Sequence, residues 1–138
     1  MNVHVGLEIP AWDMPRVLPE RMRTMAAILR DPYPVHWDRR IVAKMGLGER
    51  TINQGPLGLS YMINMLHAWA GHESIKSLKM TFPLPVFEGD HVVAKGIVTA
   101  IRTESESDYV DCDIWLERND EQPLVGTATV LIPNSAEV

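Results

Sequence analysis

The stretch GPLGLSYMINMLHAWA, Gly55 to Ala70, decides the fold. It brings Leu57, Leu59, Tyr61, Met62, Ile63, Met65, Leu66, Ala68, Trp69 and Ala70 into one run, with no charged side chain unless His67 is protonated. A helix apolar nearly all round belongs in the interior of a fold. At about 1.5 Å per residue it spans roughly 24 Å, too short to cross a bilayer.

The chain on the C-terminal side of this helix reads as strands. Ser77–Phe82 alternates polar and apolar residues, and Pro83-Leu84-Pro85 ends the run because proline cannot donate to a ladder. Glu88-Gly89-Asp90 is a turn pattern. Three longer runs follow, His91–Arg102, Ser107–Arg118 and Pro123–Pro133, separated by the polar loops Thr103–Glu106 and Asn119–Gln122. Val92, Val93, Ile97, Val98 and Ile101 supply β-branched residues to the first of them. The expectation is an antiparallel meander of about four strands. On the N-terminal side, Leu18–Leu29 has helical spacing of Met22, Met25, Ile28 and Leu29 after Pro19. A short helix is expected at Asp38–Met45, with Asp38 as N-cap and Gly46 beyond its end. One buried helix followed by a long antiparallel run predicts an α+β chain in the hot-dog arrangement, a sheet wrapped around a central helix.

The whole chain, residues 1–138, is the size of a single domain. Its net charge of -5 argues against nucleic acid as the main partner, which would need clustered Lys and Arg. Cys112 is the only cysteine, so no disulfide forms within the chain. Between Asp111 and Asp113 it reads as a small buried apolar residue. The N-terminus lacks the basic and apolar regions of a signal peptide, and a cytoplasmic location is expected.

Chemistry is concentrated in Arg30-Asp31-Pro32-Tyr33-Pro34-Val35-His36-Trp37-Asp38. Two prolines forbid a regular helix there. Fully extended, Asp31 and His36 would stand roughly 17 Å apart at about 3.3 Å per residue, so only a turn brings their side chains together. The prolines stiffen that turn. A histidine titrating near neutral pH can take a proton from water, and a carboxylate can orient the same water. Addition of that water to C3 of an enoyl-thioester builds charge on the thioester oxygen, which needs a hydrogen-bond donor. Gln54-Gly55-Pro56 offers one. Amides at a helix N-terminus have no intrahelical acceptor, Pro56 has no N–H, and Gly55 has no side chain to block approach. A structural reading competes on the pair alone: Asp31 ends the first helix and His36 satisfies a loop carbonyl.

The order of these pieces resembles the MaoC-like hydratases, the R-specific enoyl-CoA hydratases. Asp31-Pro32-Tyr33-Pro34-Val35-His36 is followed by Gly55, then by Leu78-Lys79-Met80 running into Pro83-Leu84-Pro85-Val86-Phe87-Glu88-Gly89-Asp90. The family motif is Asp-x-Asn-Pro-x-His, a helix beginning at glycine, and a strand ending in a Pro-Val-x-x-Gly-Asp turn. The resemblance covers about residues 15–133. It implies a hot-dog fold, coenzyme A thioesters as substrates without a further cofactor, and homodimers or larger assemblies. It implies a hydro-lyase giving an (R)-3-hydroxyacyl-CoA, with Asp31 and His36 activating water and the Gly55 N–H serving the oxyanion. Two positions depart from the motif: Tyr33 replaces the Asn, and Gln54 replaces a common His. A phenol cannot copy both the donor and the acceptor of an amide. Val35-His36-Trp37-Asp38-Arg39, Trp69-Ala70-Gly71 and Ile75-Lys76-Ser77 look like the small subunits of actinobacterial steroid side-chain hydratases. That likeness implies a bulky acyl group and an unlike MaoC-like partner chain. A hot-dog acyl-CoA thioesterase and a non-catalytic subunit of such a heteromer are the alternatives.

Tyr33, Trp37, Gln54 and Met62 are the expected substrate-binding residues. Met22, Met25, Met62, Met65 and Met80 suit either an adaptable acyl pocket or a core. His67 and His72 lack the further ligands a metal would need. Arg39, Arg40 and Lys44 form a basic group that suits coenzyme A phosphates or a solvated helix face. Ser60 lacks a Gly-x-Ser-x-Gly context and is no nucleophile; it suits a backbone hydrogen bond or a place facing the site.

Overall fold

The computed structural model describes residues 2–133. Strand β1 (Glu8–Met14) precedes helices α1 (Pro19–Leu29), α2 (Arg39–Lys44) and α3 (Gly55–Ala70), with a single 3₁₀ turn at Pro34–His36 between α1 and α2. Strands β2 (Ile75–Thr81), β3 (Val92–Glu104), β4 (Ser107–Arg118) and β5 (Glu121–Pro133) follow. The strands form one sheet in the order β1-β3-β4-β5-β2, and each neighbouring pair is antiparallel. The three helices lie between the two edge strands in the chain, and α3 packs against all five strands of the sheet. This is the hot-dog architecture of an α+β fold.

The three long strands place alternate residues on the helix side. Val92, Ala94 and Val98 of β3, Val110, Cys112, Ile114 and Leu116 of β4, and Leu124, Ala128, Val130 and Ile132 of β5 are all buried. Leu57, Tyr61, Met62, Met65 and Leu66 of α3 join them in one core, with Met22 of α1 and Ile9 of β1. Met25 and Met80 pack against that core half-buried. Burial and the flanking Asp111 and Asp113 push the Cys112 thiol up to about 12, which leaves it an inert apolar residue.

Three expectations are corrected. The four-strand meander lacks β1 and has β2 in the wrong place. In β1, Pro10 sits where the register slips between Ile9 and Trp12. A proline is tolerated there because the strand is at the edge and bulged, but the bulge erases the alternation that would announce a strand. β2 pairs with β5, not with β3. The segment after it is tied down elsewhere: Leu84 N–H donates to the Pro123 carbonyl, and Arg118 donates to the Pro85 carbonyl. Lastly, α3 is not buried all round. One stripe is covered, while Pro56, Asn64 and Ala68 are exposed. The helix faces the sheet on one side only.

Gly126 allows β2 to lie close on β5. It pairs with Met80, and a Cβ there would fall on the Lys79 carbonyl oxygen and the end of the Met80 side chain. Backbone cannot yield as a flexible side chain can. Gly126→Ala is therefore expected to destabilise the fold by at least about 2 kcal/mol in urea denaturation; an unchanged midpoint would contradict this packing.

Candidate active site

Local rules build the loop between α1 and α2. Arg30 adopts a left-handed conformation at φ 52° and ends α1. Asp31 N–H then donates back to the Ala26 carbonyl at 3.0 Å, in the manner of a Schellman-type end. The Asp31 side chain makes its own turn, because Oδ1 accepts from Tyr33 N–H at 3.1 Å. Pro34 starts the 3₁₀ turn, and Trp37 and Asp38 N–H both donate to its carbonyl, at 3.1 and 2.7 Å. Asp38 accepts from Arg40 N–H at 2.9 Å and caps α2. The turn at Asp31 and the 3₁₀ turn at Pro34 thereby bend the chain back between Asp31 and His36.

The reversal brings His36 Nε2 to 3.5 Å from Asp31 Oδ2. On the other side of the ring, Nδ1 lies 2.7 Å from the Ile52 carbonyl. A carbonyl oxygen only accepts, so Nδ1 carries the proton of the neutral ring and Nε2 presents a lone pair. The same backbone is fixed in return, since Ile52 N–H donates to the Val35 carbonyl at 2.8 Å. His36 is largely buried with 13% of its side chain exposed, whereas Asp31 has 39% exposed. One enclosed base and one wetter carboxylate thus face each other across a gap too long for a direct hydrogen bond of good geometry.

The other expected residues separate into two groups. Tyr33 meets His36 edge to face at 5.8 Å between centroids. Trp37 donates from Nε1 to the Pro32 carbonyl at 3.2 Å and is half exposed. A 240 Å³ cavity beside His36 is walled by Trp37, Arg23, Arg39, Thr51 and Glu88, and Asp31 is not among its walls. Gly55 and Gln54 line a different recess of about 260 Å³, with Asn53, Phe82, Leu84 and Leu124. Gly55 N–H has no acceptor among the described residues. The space of its missing Cβ lies 3.1 Å from the ring of Phe82, which is half exposed. Gln54 is turned inward: Nε2 donates to the Met22 carbonyl at 2.7 Å, bracing the start of α3 against α1. Met62 is wholly buried in the core and lines neither recess. Ser60 donates to the Leu57 carbonyl.

Four residues of this region make contacts that were not legible in the sequence. Arg39, grouped with Arg40 as a basic face, instead donates to both oxygens of Glu88 at 2.7 and 2.6 Å. Glu88 had the appearance of a turn residue only. Its partner Thr51 is buried, with a hydroxyl that has no partner among the described residues. Phe82 covers Gly55 from the end of β2. Nothing local in the sequence marks these contacts, because each joins segments more than thirty residues apart or lies beyond a strand end.

The hydrogen bond from Arg39 holds the Glu88 carboxyl at about 2, below its usual 4.5, and Thr51 N–H adds to the effect against the opposing influence of burial. The folded value is the depressed one. The pair therefore stabilises the fold fully above about pH 4.5, and that contribution is lost as pH falls toward about 2. Glu88→Gln should lower the Tm near neutral pH, and its gap from the wild type should close over that acid range. A gap that stays constant across it would rule out the ion pair as the source.

The chain resembles known proteins over most of its length. The sequence profile of the MaoC like domain matches residues 8–114. An (R)-hydratase from A. caviae involved in PHA biosynthesis superposes with a TM-score of 0.84 at 27% identity, over 95% of this chain and 98% of that one. R-hydratase PhaJ1 from Pseudomonas aeruginosa gives 0.83 at 20% identity, over 96% and 84%. The ChsH1-ChsH2 complex from Mycobacterium tuberculosis gives 0.79 at 21% identity, over 96% and 99%. No curated protein matches the chain by sequence.

Proposed function

The chain belongs to the MaoC-like domain family, and on that footing we propose that it is a hydro-lyase acting on enoyl-CoA thioesters. Water adds across the 2,3 double bond to give an (R)-3-hydroxyacyl-CoA, or leaves in the reverse direction. The observation that carries this reading is the relation of His36 to Asp31. The Nε2 lone pair and the carboxylate are both acceptors, 3.5 Å apart, and neither has a hydrogen for the other. A water molecule beside them donates one O–H to each. Its oxygen is then directed at C3 while Nε2 takes the proton. The imidazolium so formed is stabilised by the Ile52 carbonyl and by Asp31. A proton returns to C2, so that H and OH are added and nothing else is consumed. The reaction needs no resident cofactor or metal.

The Gly55 N–H is the proposed donor to the thioester oxygen as the enolate forms. It sits at the N-terminus of a 16-residue helix, where amide dipoles favour negative charge. Tyr33 and Trp37 are the proposed substrate contacts beside the pair. The (R)-hydratase from A. caviae supports this activity class at the family level. A thioesterase would send the water to C1 instead, and nothing in the geometry of Asp31 and His36 favours that course.

We take the working form to be an oligomer, either of this chain alone or with a second MaoC-like chain. Trp37, Phe82 and Leu84, which line the two recesses, are each more than a third exposed in the single chain, as is Tyr33 beside His36. A monomer by light scattering at assay concentration would remove this part of the proposal.

Asp31→Asn and His36→Ala are each expected to lower turnover of crotonyl-CoA by at least about a hundredfold, the usual contribution of a positioned acid or base. Loss of the enoyl absorbance follows hydration. Release of free thiol would show thioester hydrolysis in its place, and activity that survives both substitutions would reject the assignment.

A further inference from the structure

Two segments far apart in sequence meet behind His36. One is Thr51-Ile52-Asn53, just before α3, and the other is Val86-Phe87-Glu88, between β2 and β3. Ile52 and Phe87 form an antiparallel bridge. Asn53 N–H donates to the Val86 carbonyl at 2.6 Å, and Glu88 N–H donates to the Thr51 carbonyl at 2.9 Å. The carbonyl that grips His36 therefore belongs to a short ladder, not to a free loop.

The Glu88 carboxylate joins this ladder to the His36 segment. Oε1 accepts from Thr51 N–H at 3.0 Å, and the two oxygens accept the fork of Arg39. Arg39 follows closely after His36 in the chain. One carboxylate thus grips both the segment that carries the ring and the segment that carries the ring's acceptor. A neighbouring carboxylate also holds the segment Val86-Phe87-Glu88. Asp90 accepts from Phe87 N–H at 2.9 Å, from Arg50 at 2.8 Å and from Arg118 at 2.9 Å. Burying a carboxylate costs free energy unless it is fully paired, and only 9% of the Glu88 side chain is exposed. A bidentate pair fixes direction as well as distance, which is what holding an imidazole requires.

We propose that Glu88 is a positioning residue for His36: through Arg39 and Thr51 it holds Nδ1–H on the Ile52 carbonyl, and so keeps the Nε2 lone pair turned to Asp31. Its kinetic consequence rests on the hydratase reading; its effect on the ring does not.

Nitrogen NMR of isotope-labelled histidine in the full chain tests it, with the His36 signals identified by their loss in His36→Ala. Wild type is expected to show the Nδ1–H form. Glu88→Ala should move His36 toward the Nε2–H form that a free imidazole prefers, and should lower kcat on crotonyl-CoA about tenfold with KM changed less than about twofold. Glu88→Gln keeps an acceptor for Thr51 N–H and should restore part of both. Arg39→Met should fall between them, and Glu88→Ala combined with Arg39→Met should cost no more than Glu88→Ala alone. If Glu88→Ala does not fold, Glu88→Gln and Arg39→Met make the same comparison. An unmoved Nδ1–H form in folded Glu88 and Arg39 variants overturns the proposal, whatever their Tm. A ring that shifts in a protein without hydratase activity would sink the hydratase reading and leave the positioning role standing. A ring that does not shift in an active enzyme does the reverse.

Discussion

A neutral imidazole has one N–H and one lone pair, and the Ile52 carbonyl decides which nitrogen of His36 keeps which. That hydrogen bond, at 2.7 Å, sets the chemical character of the loop. With Nδ1–H committed, Nε2 has to be the acceptor, and it faces the carboxylate that the Asp31 turn delivers. Without it the ring could turn over, and the same two residues would present a donor to a carboxylate and bind each other. The rest of the fold can be understood as the means of keeping that carbonyl still. Ile52 is anchored by Val35 on one side and by the segment Val86-Phe87-Glu88 on the other. α3 begins immediately after this segment, braced by Gln54 against α1.

The helix and the loop therefore share one foundation. α3 is held by the inner face of the sheet through Leu57, Tyr61, Met62, Met65 and Leu66. Its first residue, Gly55, brings an amide with no acceptor among the described residues close along the chain to the segment that grips His36. Burial of an apolar helix thus serves a polar purpose. It fixes the free amide in direction, at the positive end of the helix dipole. Phe82, just beyond the end of β2, lies over that amide's residue. The end of β2 consequently contributes to a recess whose base belongs to α3.

Tyr33 shows why a departure from the family motif need not disturb the pair. Its backbone N–H, not its side chain, closes the Asp31 turn. Any residue other than proline could supply that bond. The phenol ring is free to lie edge-on to His36 and is half exposed. The structural and the functional readings of Asp31 and His36 also prove compatible. Asp31 does complete the end of α1 through its amide, and His36 does satisfy a loop carbonyl. Each uses a different atom for the purpose and leaves Oδ2 and Nε2 toward each other.

The sequence by itself determined everything that depends on near neighbours. The bounds of α3, the cap at Asp38, β4 and the hairpin pattern follow from apolar period, proline and capping residues acting within a few positions. The Pro-stiffened loop also announced that Asp31 and His36 could meet. β1 escaped because Pro10 and its bulge broke the alternation, and the partner of β2 escaped because strand pairing is a choice among distant edges. Only the tertiary structure decided that His36 answers to Ile52, that Arg39 pairs with Glu88, that Gln54 is a brace and that Met62 is core. Those outcomes rest on contacts between segments brought together by burial of the whole core, and no local pattern of residues encodes them.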